Sequence, residues 1–211
     1  MANEHLVMEE DHMEKVYSSK NKLVSWLHNK RLDIIVEQVK GRSVMDYGCG
    51  EGQLLKKIHD KDKGCISTEL NGMDCTKVAL KRCLKRNPTI KRIICADIVS
   101  FKKLVNRFDC IICTEVIEHI PRWRDALKSM LRTLKPGGIF ILTFPNEILW
   151  RLCRLALLRF PIIIPDHVNS FTPRMMLKNI QVMQTVELVR VITIPSASFP
   201  LTYIMVLKKN G

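Results

Sequence analysis

The chain has 211 residues, of which 46% are hydrophobic, and its 34 Lys and Arg outnumber 21 Asp and Glu for a formal net charge of +13. That length fits one domain with enough apolar content for a real core, which sets aside a chain too polar to fold. The charge favours anionic partners, whether nucleic acid, an acidic membrane surface or a charged substrate, and says nothing about fold.

Residues 1–14 carry Glu4, Glu9, Glu10, Asp11 and Glu14 and little apolar content. They predict a loose tail or a frayed helix. No secretory leader is visible in this polar, acidic start, so the eight cysteines are read as reduced, buried or incidental thiols of a cytosolic protein. Leu23, Leu27, Ile34, Ile35 and Val39 approximate helical spacing, with Lys22, Lys30 and Arg31 between them. One or two helices from about Lys20 to Val39 follow from that.

Ser43 to Tyr47 is a short apolar run that includes Asp46. Gly48-Cys49-Gly50-Glu51-Gly52 comes next, then Gln53 to Ile58 with helical character. Strand, glycine turn and helix form a nucleotide-site architecture. Glycine tolerates positive φ and lets a ligand reach the main chain, and the helix amino end offers free N–H groups. Cys65 to Asp74 is a poor strand by propensity. It ends in Asp74, 22 residues after Gly52, where two carboxylate oxygens suit two vicinal hydroxyls. Glu69 is the rival, but a helix starting just after Asp74 puts Asp74 at the strand's carboxyl end. Lys77, Lys81, Arg82, Lys85 and Arg86 read as the solvated face of that helix.

Arg92 to Ile98 reads as the third strand, with Asp97 at its end. Phe108 to Cys113 is nearly all apolar, as a strand buried on both faces would be. Cys110 and Cys113 therefore point to opposite faces and cannot chelate one ion. The run continues into Thr114-Glu115-Val116-Ile117-Glu118-His119-Ile120. Arg122 to Lys135 predicts a helix with Ala126, Leu127, Met130, Leu131 and Leu134 inward, stopped by Pro136-Gly137-Gly138. Ile139 to Phe144 is the next buried strand.

Pro145-Asn146 opens a very apolar insert, Glu147 to Phe160 and then Pro161 to Pro165, broken by Arg151, Arg154 and Arg159. The arginines and Pro161 argue against a membrane span. The composition suits an interfacial amphipathic helix, or a helix packed over the active site. Thr172 is a good N-cap with Pro173 at the first helical position, so Met175 to Val182 should be helical. Glu187 to Ile194 and Leu201 to Leu207 predict a closing antiparallel pair at the sheet edge.

Asp46-x-Gly48-x-Gly50-x-Gly52, Gly72-Met73-Asp74-Cys75, Asp97, the Phe108 to Ile120 stretch and a helix followed by Leu134-Lys135-Pro136-Gly137-Gly138 resemble the class I S-adenosylmethionine-dependent methyltransferases over roughly residues 40–145. The resemblance implies a Rossmann-like, doubly wound α/β fold with a mostly parallel seven-stranded sheet and helices on both faces. It implies one domain: tail and helical lid (1–39), cofactor-binding core (40–145), apolar insert (146–172), closing helix and edge strands (173–211). It implies S-adenosyl-L-methionine as cofactor. Asp46, Gly48, Gly50 and Gly52 would meet its methionine part, Asp74 its ribose, Asp97 with Ile98 its adenine, and Glu115 its amino end. A tyrosine such as Tyr17 can lie over the cofactor. His119 is the candidate general base, or else a residue that shapes the pocket by hydrogen bonding.

The insert, Asp166-His167 and Phe171-Thr172-Pro173 resemble the ubiquinone-biosynthesis type of O-methyltransferase. That implies a small or lipid-like acceptor methylated at oxygen, while the thiols, the charge and the insert together read as a cytoplasmic protein in peripheral contact with anionic membrane. Glu115-x-x-Glu118-His119 and a later histidine also resemble the small-RNA 2′-O-methyltransferases, so nucleic acid is the alternative acceptor. A cofactor-binding regulatory module without catalysis is a third reading. Glu115, Glu118, His119 and His167 would together suit a divalent ion of intermediate softness. Against the ion, Glu115 meets the cofactor through its backbone, Glu118 faces solvent and His119 acts as base.

Overall fold

The computed structural model describes residues 22–62, 68–158, 160–183 and 186–211. The predicted tail, Tyr17, Cys65 and Arg159 lie outside the described residues. The described elements are, in chain order, α1 (Lys22–Gln38), β1 (Ser43–Tyr47), α2 (Gln53–Asp62), β2 (Glu69–Asp74), α3 (Lys77–Arg86), β3 (Arg92–Cys95), β4 (Phe108–Thr114), a short 3-10 turn (Ile117–His119), α4 (Trp123–Thr133), β5 (Leu134–Pro145), α5 (Glu147–Ala156), α6 (Pro173–Met183), β6 (Val186–Pro195) and β7 (Pro200–Lys209). The strands form one sheet in the order β3-β2-β1-β4-β5-β7-β6. β1 to β5 pair in parallel, and β7 pairs antiparallel to both β5 and β6. Strand order reverses between β1 and β4, and in such sheets the crevice at the carboxyl ends of those strands receives ligands.

The period of two in each strand feeds two cores. Met45, Tyr47, Ile111, Cys113, Phe140, Leu142 and Phe144 join Trp123, Leu127 and Met130 of α4 and Met176 and Ile180 of α6 on one face. Val44, Cys110, Ile112 and Ile141 join Leu27, Leu32 and Ile35 of α1, Leu54 and Leu55 of α2 and Leu80 of α3 on the other. Cys110 and Cys113 thus fall on opposite faces, and the seven described cysteines are free thiols.

Local reading and structure part company at four places. α1 is a single helix whose buried face is Leu27, Arg31, Leu32, Ile35 and Val36, while Leu23 is exposed. The third strand ends at Cys95, so Asp97 sits in the following turn. Arg82 and Arg86 leave the solvated face of α3 to pair with the buried Glu51 at 2.8 and 3.3 Å. Finally, Pro136-Gly137-Gly138 does not end an element, because α4 stops at Thr133 and β5 already begins at Leu134. Leu134 pairs with Phe108, and the register shift before Cys110 absorbs the proline and the positive φ of Gly137. The closing strands form the predicted antiparallel edge pair, and Thr172 Oγ1 accepts the Met175 N–H at the start of α6.

Candidate active site

The turn after β1 holds Gly48, Gly50 and Gly52 at φ of 73°, 50° and 77°. The amides of Gly48 and Cys49 both donate to the Met73 carbonyl, at 2.7 and 3.0 Å, which draws the loop over the end of β2. A Cβ at Gly48 would sit 2.3 Å from Val116 Cγ2, and one at Gly52 would sit 2.5 Å from both Cys83 Sγ and Asn87 Nδ2. A Cβ at Gly50 meets nothing within 4 Å. The two outer glycines are therefore demanded by the protein's own packing, whereas the middle one faces open space.

Asp74 stands at the carboxyl end of β2, half-buried. Its Oδ2 accepts the Gly50 N–H at 2.9 Å and its Oδ1 accepts the Thr76 N–H at 2.8 Å. Each oxygen keeps a further lone pair for a ligand hydroxyl. Glu69, its rival, lies at the opposite end of the strand. Asp46 is buried, and its Oδ1 has no hydrogen-bond partner among the described residues. Burial, with the neighbouring Cys83 and Asp74, pushes its carboxyl well above the usual range. Asp97 is exposed and accepts the Val99 N–H at 3.0 Å, and Ile98 beside it is buried. An orphaned buried oxygen, an open glycine and a half-exposed acid at one crevice fit an adenosyl ligand with several hydroxyl and amino groups.

β4 delivers the second half of the site. Glu115 follows it at φ 52° and is fixed on three sides. Its N–H donates to Thr143 Oγ1 at 3.1 Å, its Oε1 accepts the Thr143 hydroxyl at 2.9 Å, and its Oε2 lies 3.2 Å from Arg31 Nη1. Glu118, which the reading without an ion places at the surface, is only 1% exposed. Ile117 beside it is also buried, so the 3-10 turn rolls its acid under the chain. Neither carboxyl oxygen of Glu118 has a hydrogen-bond partner among the described residues. Burial, reinforced by Glu115, raises its carboxyl well above the ordinary range.

The segment after α5 returns across this turn, as its position after the insert predicts. Asn169 donates from its backbone to the Glu118 carbonyl at 3.1 Å and from its side chain to the Ile120 carbonyl at 2.8 Å. The return sets His119 and His167 edge to face with ring centroids 4.7 Å apart. His119 Nδ1 is 2.9 Å from the Asp166 carbonyl. A carbonyl only accepts, so Nδ1 carries the proton and the Nε2 lone pair is free. Desolvation first, then His167, lowers the His119 pKa, which keeps the ring neutral near pH 7. His167 Nδ1 is held in turn by Glu147 Oε1. Glu147 sits buried in the first turn of α5, where a helix dipole favours an acid, with Asn146 capping the helix through Leu149 N–H. A carbonyl behind His119 and a carboxylate behind His167 fix the two rings, the kind of support that can orient imidazoles toward a metal.

Among the described residues, ligand atoms of Glu118, His119 and His167 lie within 4.8 Å of one another, a spacing one divalent ion can bridge. Glu115, expected in the same set, is not among them. Reading the sequence missed Arg31, Thr143 and Glu147. Only Arg31 left a signal: four residues from both Leu27 and Ile35, it stands in the middle of an apolar helical stripe.

A family model described as a methyltransferase domain matches residues 21–180. The ubiquinone biosynthesis O-methyltransferase of Coxiella burnetii is 30% identical over 123 residues, 57% of this chain and 52% of that protein. The mitochondrial ubiquinone biosynthesis O-methyltransferase of Schizosaccharomyces pombe is 24% identical over 165 residues, 72% of this chain and 58% of that protein. The chain thus spans about half the length of the curated relatives it matches. In architecture it is similar to the small RNA methyltransferase HEN1, with TM-score 0.70 and 20% identity over 88% of this chain and 25% of that one. With three quarters of its length matched and the glycine crevice in place, the chain belongs to the methyltransferase domain family, whose class I members use S-adenosyl-L-methionine as methyl donor.

Proposed function

We propose that the chain is one methyltransferase domain that moves a methyl group from S-adenosylmethionine to a phenolic oxygen of a lipid-like acceptor held at an anionic membrane surface. One observation carries this reading: the helix that holds the active-site histidine also exposes an apolar face. Glu147 of α5 holds His167, while Ile148, Leu152 and Leu155, one stripe of the same helix, are 66%, 55% and 52% exposed. The stripe continues into the exposed Leu157, Leu158 and Phe160. Contiguous exposed apolar surface marks an interaction site. Arg151 and Arg154 flank the stripe, and with the +13 charge they favour anionic headgroups as the occupant. Among the described residues no helix is long and apolar enough to cross a membrane, which agrees with an in-plane contact.

In this reading Asp46, Gly48, Gly50 and Gly52 hold the methionine part of the cofactor. Asp74 takes the ribose hydroxyls, Asp97 and Ile98 the adenine, and Glu115 the amino end. The cofactor supplies an electrophilic methyl group on a sulfonium, so alignment and exclusion of water are the protein's main tasks. Glu118, His119 and His167 would hold a divalent ion, which would lower the pKa of an acceptor hydroxyl. Support for the ion comes from Glu118, since a buried carboxyl without a partner is costly unless a proton or a cation compensates it.

Labelled methyl donor tests the reading with three acceptors: a prenylated phenol in phosphatidylglycerol vesicles, a short-chain soluble phenol, and a single-stranded RNA. Transfer to the phenols is expected, faster for the vesicle-borne one and abolished by excess EDTA. Replacing the exposed Leu157 and Leu158 with Ser should abolish flotation with the vesicles and leave the melting temperature unchanged. Methylation of RNA alone would refute the acceptor class, and undiminished turnover in EDTA would refute the ion and leave His119 as general base.

A further inference from the structure

A cavity of about 270 Å³ opens at the amino ends of the parallel strands, opposite the glycine crevice. Val105 before β4, Leu131 near the end of α4 and Met183 at the end of α6 form an apolar wall, and Lys128, Arg132 and Lys209 supply the charge. None of its described lining residues is acidic. The spacing of four sets Lys128 and Arg132 on one face of α4, and β7 brings Lys209 in beside them. Lys209 is buried, and its ammonium donates to Asn106 Oδ1 and to the carbonyls of Leu131 and Leu134, so its charge meets dipoles and no carboxylate. Desolvation accordingly lowers its pKa. Arg132 Nη2 donates to the Phe101 carbonyl at 3.1 Å, but its Nε is buried and has no hydrogen-bond partner among the described residues. Glu69 and Asp109, at the same end of the sheet, are already paired with Arg107 at 3.3 Å and Lys135 at 2.6 Å.

We propose that this cavity binds a phosphate monoester, at a site separate from the crevice that holds the methyl donor. Buried cations without a counter-ion are unfavourable, and three of them around one cavity call for an anion. A carboxylate offsets one charge of the three, whereas a phosphate monoester carries about −1.5 to −2 near neutral pH and three acceptor oxygens. Arg132 and Lys128 are the donors for those oxygens, the first as a planar fork and the second as a point charge. Lys209 has another duty. The last carbonyls of α4 would repel an anion, and the ammonium bonded to the Leu131 and Leu134 carbonyls masks them. The organic part of the ester lies on Val105, Leu131 and Met183. The volume, near the lower end of the ~300–1,000 Å³ of small-molecule sites, suits a phosphate on a small apolar body.

Titration calorimetry with phenyl phosphate on the full chain tests this, with thermal melts to confirm folding of each variant. The wild type should bind it equally well with and without saturating S-adenosylmethionine. Arg132→Gln should weaken binding by about 10-fold, the loss of a charge-assisted hydrogen bond, and Lys128→Glu by more than that. Lys128 is exposed, so Lys128→Glu keeps the comparison if Arg132→Gln fails to fold. Lys81→Gln, which removes one charge from the exposed side of α3, should change affinity by less than about 2-fold. Vesicles separate the sources of the ester. Given phenyl phosphate binding, a preference for phosphatidic acid over phosphatidylglycerol vesicles that Lys128→Glu abolishes would assign the site to a lipid monoester headgroup, and no such preference would assign it to a soluble ester. A wild type that binds no phenyl phosphate, displacement of phenyl phosphate by S-adenosylmethionine, or an equal loss in Lys81→Gln and Lys128→Glu would overturn the proposal.

Discussion

Gly50 and Gly52 divide the duties of the glycine turn, and alanine at each should fail in a different way. Either alanine must hold a left-handed φ, at a cost of about 1–2 kcal/mol. At Gly52 the new methyl also lands 2.5 Å from Cys83 Sγ and Asn87 Nδ2. Both neighbours are buried, and the Asn87 amide donates to the carbonyls of Gly52 and Cys83 at 3.1 Å each, so it cannot swing aside without losing bonds worth ~1 kcal/mol apiece. With overpacking at ~1–3 kcal/mol, Gly52→Ala should lose about 3–5 kcal/mol, a large part of the ~5–15 kcal/mol available to a domain. Gly50→Ala has no neighbour to strike and should lose only the backbone term, a drop of a few degrees at ~2–4 °C per kcal/mol for a chain of this size. Its methyl group would stand in the open crevice, so S-adenosylmethionine affinity should fall by about 10-fold or more, the direct result of blocking a close main-chain approach. Urea denaturation and titration calorimetry on both variants give the comparison. A Gly50→Ala protein that binds the cofactor like the wild type, or a Gly52→Ala protein as stable as Gly50→Ala, would refute the division.

Two further predictions concern the far end of the sheet. Lys209 is buried, and its ammonium donates to the carbonyls of Leu131 and Leu134 at 3.1 and 2.7 Å and to Asn106 Oδ1 at 3.3 Å, tying the end of α4 to β7. Lys209→Met should cost about 1–3 kcal/mol by urea denaturation, because buried acceptors lose their donor, and an unchanged midpoint would count against this role. Desolvation raises the Asp109 pKa, but hydrogen bonds from Lys135 and from the Ser43 and Arg42 amides outweigh it and hold the carboxyl below its usual range. A depressed carboxyl stabilises the fold above its unfolded pKa of about 3.9, and that contribution is lost as pH falls through the lower folded value. The stability gap between wild type and Asp109→Asn should therefore narrow from pH 6 to pH 2, and a constant gap would show that Asp109 acts by shape alone.

The sheet was legible because its central strands carry the pattern themselves. Phe108 to Cys113 and Ile139 to Phe144 are apolar on both faces, and helices cover both faces of the sheet. Short-range signals misled where a distant partner outvoted them. Pro136-Gly137-Gly138 breaks structure by propensity, but Leu134 finds Phe108 across the sheet and the strand accommodates the breakers as a bulge. Arg82 and Arg86 read as solvated until the glycine turn sets the buried Glu51 beside them. The cofactor half of the site was readable because its residues follow one another along the first strand ends. The other half depends on contacts that no local spacing encodes, such as His119 with Asp166, 47 residues on.

Charge explains why that second half needs so many segments. Three buried or half-buried carboxyl groups, Glu115, Glu118 and Glu147, surround two histidines, and such acids cannot share a dry crevice without separate compensation. α1 provides Arg31 for Glu115, and the segment after α5 provides His167 for Glu147, with Arg151 4.0 Å from its other oxygen. Among the described residues the carboxyl oxygens of Glu118 have no hydrogen-bond partner, and burial raises that carboxyl well above the ordinary range. α1, which carries Arg31, also exposes Leu23 and Trp26, and α5, which carries Glu147 and Arg151, exposes Ile148, Leu152 and Leu155. Glu115 and His167 are thus each tied to a helix that also exposes apolar side chains. Among the described residues Arg31–Glu115 and Glu147–His167 link those helices to the site, which makes these two pairs places where contact with an outer side would be felt.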